Sequence, residues 1–180
     1  MNDVRISRFL SLVLRHKPED AGLSLDENGW ADLAVLCAVS EKRFGADEDN
    51  IRRIVAESDK QRFIIEGSRI RANQGHSVKV DLDLQPLEPP TVLYHGTVFE
   101  FSDSIAADGL ITGNRHHVHL SADTETAGHV ARRRNKPWLV YRVDAAAMAA
   151  AGHIFYSSAN GVWLTDRVPP EFLTAVTDKS

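Results

Sequence analysis

Four short stretches of this chain carry arginine, histidine or both and contain no carboxylate. They are residues 11–18 (SLVLRHKP), 69–77 (RIRANQGHS), 94–97 (YHGT) and 115–121 (RHHVHLS). Guanidinium groups grip phosphate oxygens in pairs, and imidazole exchanges a proton near neutral pH. Such a set suits an anionic ligand. Gly96, inside the third stretch, would let a ligand come close to the backbone. On residue types alone the chain handles a phosphate or a nucleotide, and the reaction has no name yet.

Each of these residues also has a plainer use. Arg15 and His16 stand where a helix should end, and a cation there is common and mildly stabilising. Arg71 on a strand can be a solvated surface charge. His95, before a glycine, can close a strand end. His117 and His119 alternate across Val118 and put two imidazoles on one face, as a metal pair would. No carboxylate or cysteine lies at a spacing that completes such a site. Asp123, the nearest acid, reads as a helix cap, so no metal is expected.

The elements that must carry these residues follow from periodicity. Ile6, Phe9, Leu10, Val13 and Leu14 have helical spacing with one buried face, and Pro18 ends that helix near the Arg-His pair. Residues 29–33 read as a short strand running into a helix that Asp32 caps, with Leu33, Leu36 and Cys37 inward. Residues 47–58 read as a helix, and 63–65 and 69–71 as two strands around a tight turn. Helices followed by a hairpin predict a winged-helix-like lobe over residues 1–80. Pro86, Pro89 and Pro90 mark residues 81–90 as a semi-rigid linker. In residues 91–180, strands are expected at 92–95, 117–120, 138–143, 154–156 and 162–164. Helices are expected at 101–108, 123–133 and 145–151, with Gly109 as a C-cap. The fold class is therefore α+β.

Bulk properties narrow the field. The chain has 180 residues, 43% of them hydrophobic and 26% charged, which is ordinary for a globular protein with its own core. A net charge of −4 argues against a protein that coats nucleic acid non-specifically, yet leaves room for a focused basic pocket. Cys37, the one cysteine, has no partner for an internal disulfide and reads as a small core residue on a helix. The sequence after Met1 offers neither a signal peptide nor a membrane span, so a cytoplasmic protein is expected. No exposed apolar stripe calls for a second copy, and a monomer is expected.

In this order, the four stretches resemble the RNA 2′-phosphotransferase family. The likeness extends to residues 130–137 (VARRRNKP) and 160–170 (NGVWLTDRVPP), and spans residues 6–173. It implies a two-lobed enzyme: the winged-helix-like lobe, and a C-terminal lobe of the ADP-ribosyltransferase type that binds NAD⁺. The implied substrate is RNA bearing an internal 2′-phosphate, typically at a tRNA splice junction. That phosphate attacks the nicotinamide-bearing ribose carbon of NAD⁺, and nicotinamide leaves. The ribose 2″-hydroxyl then attacks the phosphate, giving RNA with a 2′-OH and ADP-ribose 1″,2″-cyclic phosphate. NAD⁺ is consumed and no metal is needed.

The resemblance assigns Arg15, His16, Arg71 and Arg115 to catalysis. The three arginines would hold the 2′-phosphate, and His16 would either move a proton in the second step or bind phosphate. His95, Gly96 and Thr97 match the first NAD⁺ motif, and His117, His119, Leu120 and Ser121 the second. Arg133 aligns with a basic residue facing the pyrophosphate, while Arg132 and Arg134 can equally be solvated helix charges. Val162 occupies the place of the glutamate found in many ADP-ribosyltransferases; a phosphate nucleophile needs no base there. Ala131 and Asn135 depart from the family pattern, which has glycines around Arg133. An ADP-ribosyltransferase acting on nucleic-acid phosphate ends is the nearest alternative, and a non-catalytic RNA-binding module a more distant one.

Overall fold

A computed structural model describes residues 2–176, and the chain divides into two compact units, Met1–Leu84 and Gln85–Ser180. Unit 1 opens with α1 (Asp3–Arg15), whose N-terminus is capped by the Asn2 side chain accepting from the Arg5 N–H. Its buried face is Ile6, Phe9, Leu10, Val13 and Leu14. His16 closes the helix, and Pro18 begins a 3₁₀ turn that ends at a left-handed Gly22. β1 (Ala31–Asp32) leads directly into α2 (Leu33–Phe44), where the Asp32 carboxylate accepts from the Ala34 and Val35 amides. α3 (Glu48–Ala56) starts in a capping box between Asp47 and Asn50.

The hairpin of β2 (Phe63–Glu66) and β3 (Arg69–Ala72) completes an antiparallel sheet in the order β1-β3-β2. Its register places Ala31 opposite Ile70 and Phe63 opposite Ala72. α1, α2 and α3 pack their apolar faces into one core with Phe63, Ile70 and Ala72. Burying each large side chain there stabilises the unit by about 1.5–3 kcal/mol.

Unit 2 holds β4 (Leu93–Val98), α4 (Ser102–Asp108), β5 (Val118–Leu120), α5 (Thr124–Arg132) and β6 (Trp138–Val143). α6 (Ala145–Ala150), β7 (Phe155–Ser157), β8 (Trp163–Thr165) and β9 (Leu173–Val176) follow. Two antiparallel sheets form, β4-β6-β9 and β5-β8-β7. They are tied together where Tyr94 and Ser121 exchange backbone hydrogen bonds of 2.9 and 2.8 Å. Leu93, Leu120, Val143, Met148, Phe155 and Val168 lie at the centre of the second core.

Two details differ from the sequence expectation. The stretch read as a linker is anchored at Leu87, whose N–H donates to the Phe155 carbonyl at 2.9 Å. β9, unanticipated, pairs with β6 as an edge strand and has only four residues. No helix among the described residues is long and apolar enough to cross a membrane.

Candidate active site

In unit 1 the candidate residues gather around the end of α1. Arg15 is its last residue and His16 its cap. The loop after β3 folds back onto them. The Ser77 and Val78 amides donate to the Arg15 carbonyl at 2.8 and 3.3 Å, satisfying a helix-end acceptor. The Ser77 hydroxyl is hydrogen-bonded to His16 Nδ1 at 2.8 Å, which orients the ring. Gly75 turns the loop at φ +88°, a left-handed conformation that favours glycine, and lies in van der Waals range of the Arg15 guanidinium. Phe63 sits 5.8 Å beneath the same guanidinium.

Arg71 is fixed by a different set of groups. Its guanidinium stacks on Trp30 at 4.6 Å, and Nη1 donates to the Asn28 carbonyl at 3.3 Å. Its Nε–H is buried and meets no acceptor among the described residues. A buried donor left unpaired in this way costs about 1–3 kcal/mol. His76 is also buried, with Nε2 near Gly29.

Unit 2 carries a cavity of about 440 Å³. β4 supplies His95, Gly96 and Thr97, the 115–119 segment supplies Arg115, His117 and His119, and the end of α5 supplies Arg133 and Arg134. Among the described residues no carboxylate lines it. The side chain of Arg115 is pushed below its ordinary pKa by partial withdrawal from water and by the charges of Arg133 and Arg134. Three guanidiniums thus converge without a counter-charge. Among the described residues no group of three His, Cys, Asp or Glu side chains could hold a metal ion.

The histidines of the cavity are ordered by their neighbours. His95 Nδ1 donates to the His119 carbonyl at 2.9 Å. Burial holds its pKa below the ordinary value, against the opposing pull of that carbonyl. A neutral ring with its proton on Nδ1 presents Nε2 as an acceptor, as a ligand hydroxyl would need. Arg115 Nη1 is 3.2 Å from His119 Nδ1, donating to it. His117 packs edge-on against Tyr156 at 5.5 Å, and burial lowers its pKa more than Asp166 raises it.

Some expected residues lie elsewhere. Leu120 is 1% exposed and belongs to the core, and Ser121 acts through its backbone as the tie to Tyr94. At Gly96 the close approach is made by the protein itself: a β-carbon would fall 1.8 Å from the Ala127 carbonyl oxygen of α5. Arg132 packs over Trp138 at 4.7 Å, which leaves Arg133 and Arg134 to the cavity. Asn135, where the family pattern has glycine, adopts φ +50°, a left-handed conformation that asparagine tolerates better than most residues. Ala131, the other departure, is buried in α5 and small enough to pass beside Gly96. Sequence reasoning missed the roles of Ser77 and Trp30. Both are set by contacts across 40 or more positions, so periodicity carried no sign of them.

Residues 1–167 match the family described as "RNA 2'-phosphotransferase, Tpt1 / KptA family". A protein of Hahella chejuensis named "Probable RNA 2'-phosphotransferase" is 54% identical over 171 residues, covering 93% of this chain and 91% of its own length. A protein of the same name from Streptomyces griseus is 53% identical over 180 residues, covering 94% and 95%. One from Fusobacterium nucleatum is 45% identical over 175 residues, covering 96% and 98%. With a family match over residues 1–167 and relatives about half identical over most of the chain, this chain belongs to the RNA 2′-phosphotransferase family.

Proposed function

We propose that this protein removes an internal 2′-phosphate from RNA by passing it to the ADP-ribose part of NAD⁺. The overall reaction yields RNA with a 2′-OH, nicotinamide and ADP-ribose 1″,2″-cyclic phosphate, through an ADP-ribosylated 2′-phosphate. The observation that carries the reading is the cavity of unit 2. Three arginines and no carboxylate suit a pyrophosphate, and neutral His95 suits a ribose hydroxyl. Its volume of about 440 Å³ falls in the range of small-molecule sites. NAD⁺, when bound, supplies the electrophilic ribose carbon.

Unit 1 supplies the phosphate-holding groups. Arg15 and Arg71 are fixed by packing before any ligand arrives, the condition under which cations stabilise developing charge best. His16, oriented by Ser77, takes or delivers the proton exchanged between the 2″-hydroxyl and the leaving RNA 2′-oxygen. Arg115, assigned to the phosphate set from sequence, stands with Arg133 and Arg134 and serves charge stabilisation from unit 2. In this reading unit 1 is a winged-helix-like RNA lobe and unit 2 an ADP-ribosyltransferase-like lobe. Val162, beside the turn between β7 and β8, stands where other transferases place a glutamate. No base is needed there, since the phosphate is already an anion.

The test is direct. The protein is incubated with NAD⁺ and a short RNA bearing one internal 2′-phosphate, without added metal, and the products are resolved by mass. RNA with a 2′-OH together with ADP-ribose cyclic phosphate is expected. RNA that stops as an ADP-ribose adduct would instead make the protein an ADP-ribosyltransferase of nucleic-acid phosphates, and unchanged RNA would sink the proposal.

A further inference from the structure

Unit 2 carries an aromatic face outside the cavity that the reaction does not use. Phe99 is 60% exposed, and Phe101 and Trp138 are each 39% exposed. A single exposed aromatic needs no explanation, but several neighbouring ones mark a contact surface. Two arginines interleave with them: Arg132 lies 4.7 Å over the Trp138 ring and Arg134 5.3 Å over that of Phe101. The frame beneath is rigid. Val98 pairs with Trp138 across β4 and β6, and the Phe99 amide donates to the Pro137 carbonyl at 2.8 Å. Lys136 bonds both carboxylate oxygens of Glu100 at 3.0 Å, so the acid within this face is already neutralised. What remains is aromatic and cationic. Arg134 also lines the cavity, so the face and the cavity share an edge.

We infer that this face binds an unpaired stretch of RNA, by stacking bases on Phe101, Trp138 and the arginine planes. The inference rests on the reading of the substrate as RNA. Flat rings with guanidiniums between them are the chemistry by which proteins hold single-stranded nucleic acid: every base has a π face, and the cations meet the backbone charge. In a duplex those faces are hidden in the stack, so the face selects unpaired RNA.

Binding tests this without depending on turnover. A fluorescently tagged, unstructured RNA decanucleotide and the same sequence as a duplex are titrated with the full chain at low salt, and anisotropy is followed. The wild type is expected to prefer the single strand. Phe101→Ala and Trp138→Leu should each weaken single-strand binding roughly tenfold and leave duplex binding unchanged. Arg132→Gln should weaken both. Trp138 lies against α5 beside Gly128, so Phe101→Ala serves as the principal variant. Equal single-strand affinity in the wild type and Phe101→Ala would overturn the inference. So would a matching loss of NAD⁺ affinity in Phe101→Ala, which would give the face to the dinucleotide. Turnover assayed in parallel separates the two readings: an inactive wild type with the binding pattern intact sinks the phosphotransferase proposal alone.

Discussion

Arg71 shows how a residue's environment sets its task. It is stacked on Trp30, bonded to a carbonyl, and left with one buried donor open. Such a group contributes most where charge builds on a phosphate, in the second step of the proposed reaction. Arg71→Ala should slow that step by roughly 10²-fold or more and the first step far less, so that ADP-ribosylated RNA accumulates in a gel or mass assay. Loss of both steps in equal measure would make Arg71 a docking residue. Ser77 bears on the same chemistry one atom further away. Ser77→Ala removes the partner of His16 Nδ1 and should lower kcat about tenfold with KM for NAD⁺ unchanged, as measured by steady-state kinetics. The four arginine- and histidine-rich stretches were visible in the sequence, but which arginine of 132–134 faces the cavity was not. That choice depends on where α5 ends, and its last turn is set by packing of Arg132 on Trp138.

Among the elements, β4 and α5 pack without clearance. Gly96 exists because the main chain of α5 occupies the space of a side chain. Gly96→Ala must therefore displace backbone, and should cost at least the about 1–3 kcal/mol typical of overpacking, read as a lowered Tm. Gly113→Ala, with open space around it and no left-handed backbone, should leave Tm nearly unchanged and serves as the control. Most elements were legible because their signals were local. The faces of α1 and α3, the Asp32 and Asp123 caps, and the Gly67 turn are each written within a few residues. β9 was not, because Leu173–Val176 is a short edge strand with two exposed positions, and its partner β6 lies some 30 residues away. The antiparallel tie of Tyr94 to Ser121 was equally hidden, since backbone hydrogen bonds leave no mark on residue type.

For the molecule as a whole, the two units hold separate cores, and their titrating groups differ. His95 and His117, both in unit 2, have pKa values pressed below the ordinary histidine value by burial. An unfolded chain therefore binds more protons than the folded one just below about pH 6.5. The stability these neutral rings confer is full above that pH and is lost as pH falls through the lowered values. Tm measured by calorimetry should drop as pH falls below about 6.5, and His95→Gln should flatten that slope. A Tm independent of pH across this window would contradict the burial assigned to the two rings. The fit of β4 against α5 also has a consequence for what position 96 can hold. Every amino acid other than glycine has a β-carbon, and the obstacle at position 96 is a main-chain carbonyl rather than the end of a flexible side chain. Any other residue at position 96 therefore requires α5 to move away from β4, and rotation of side chains alone does not make the room.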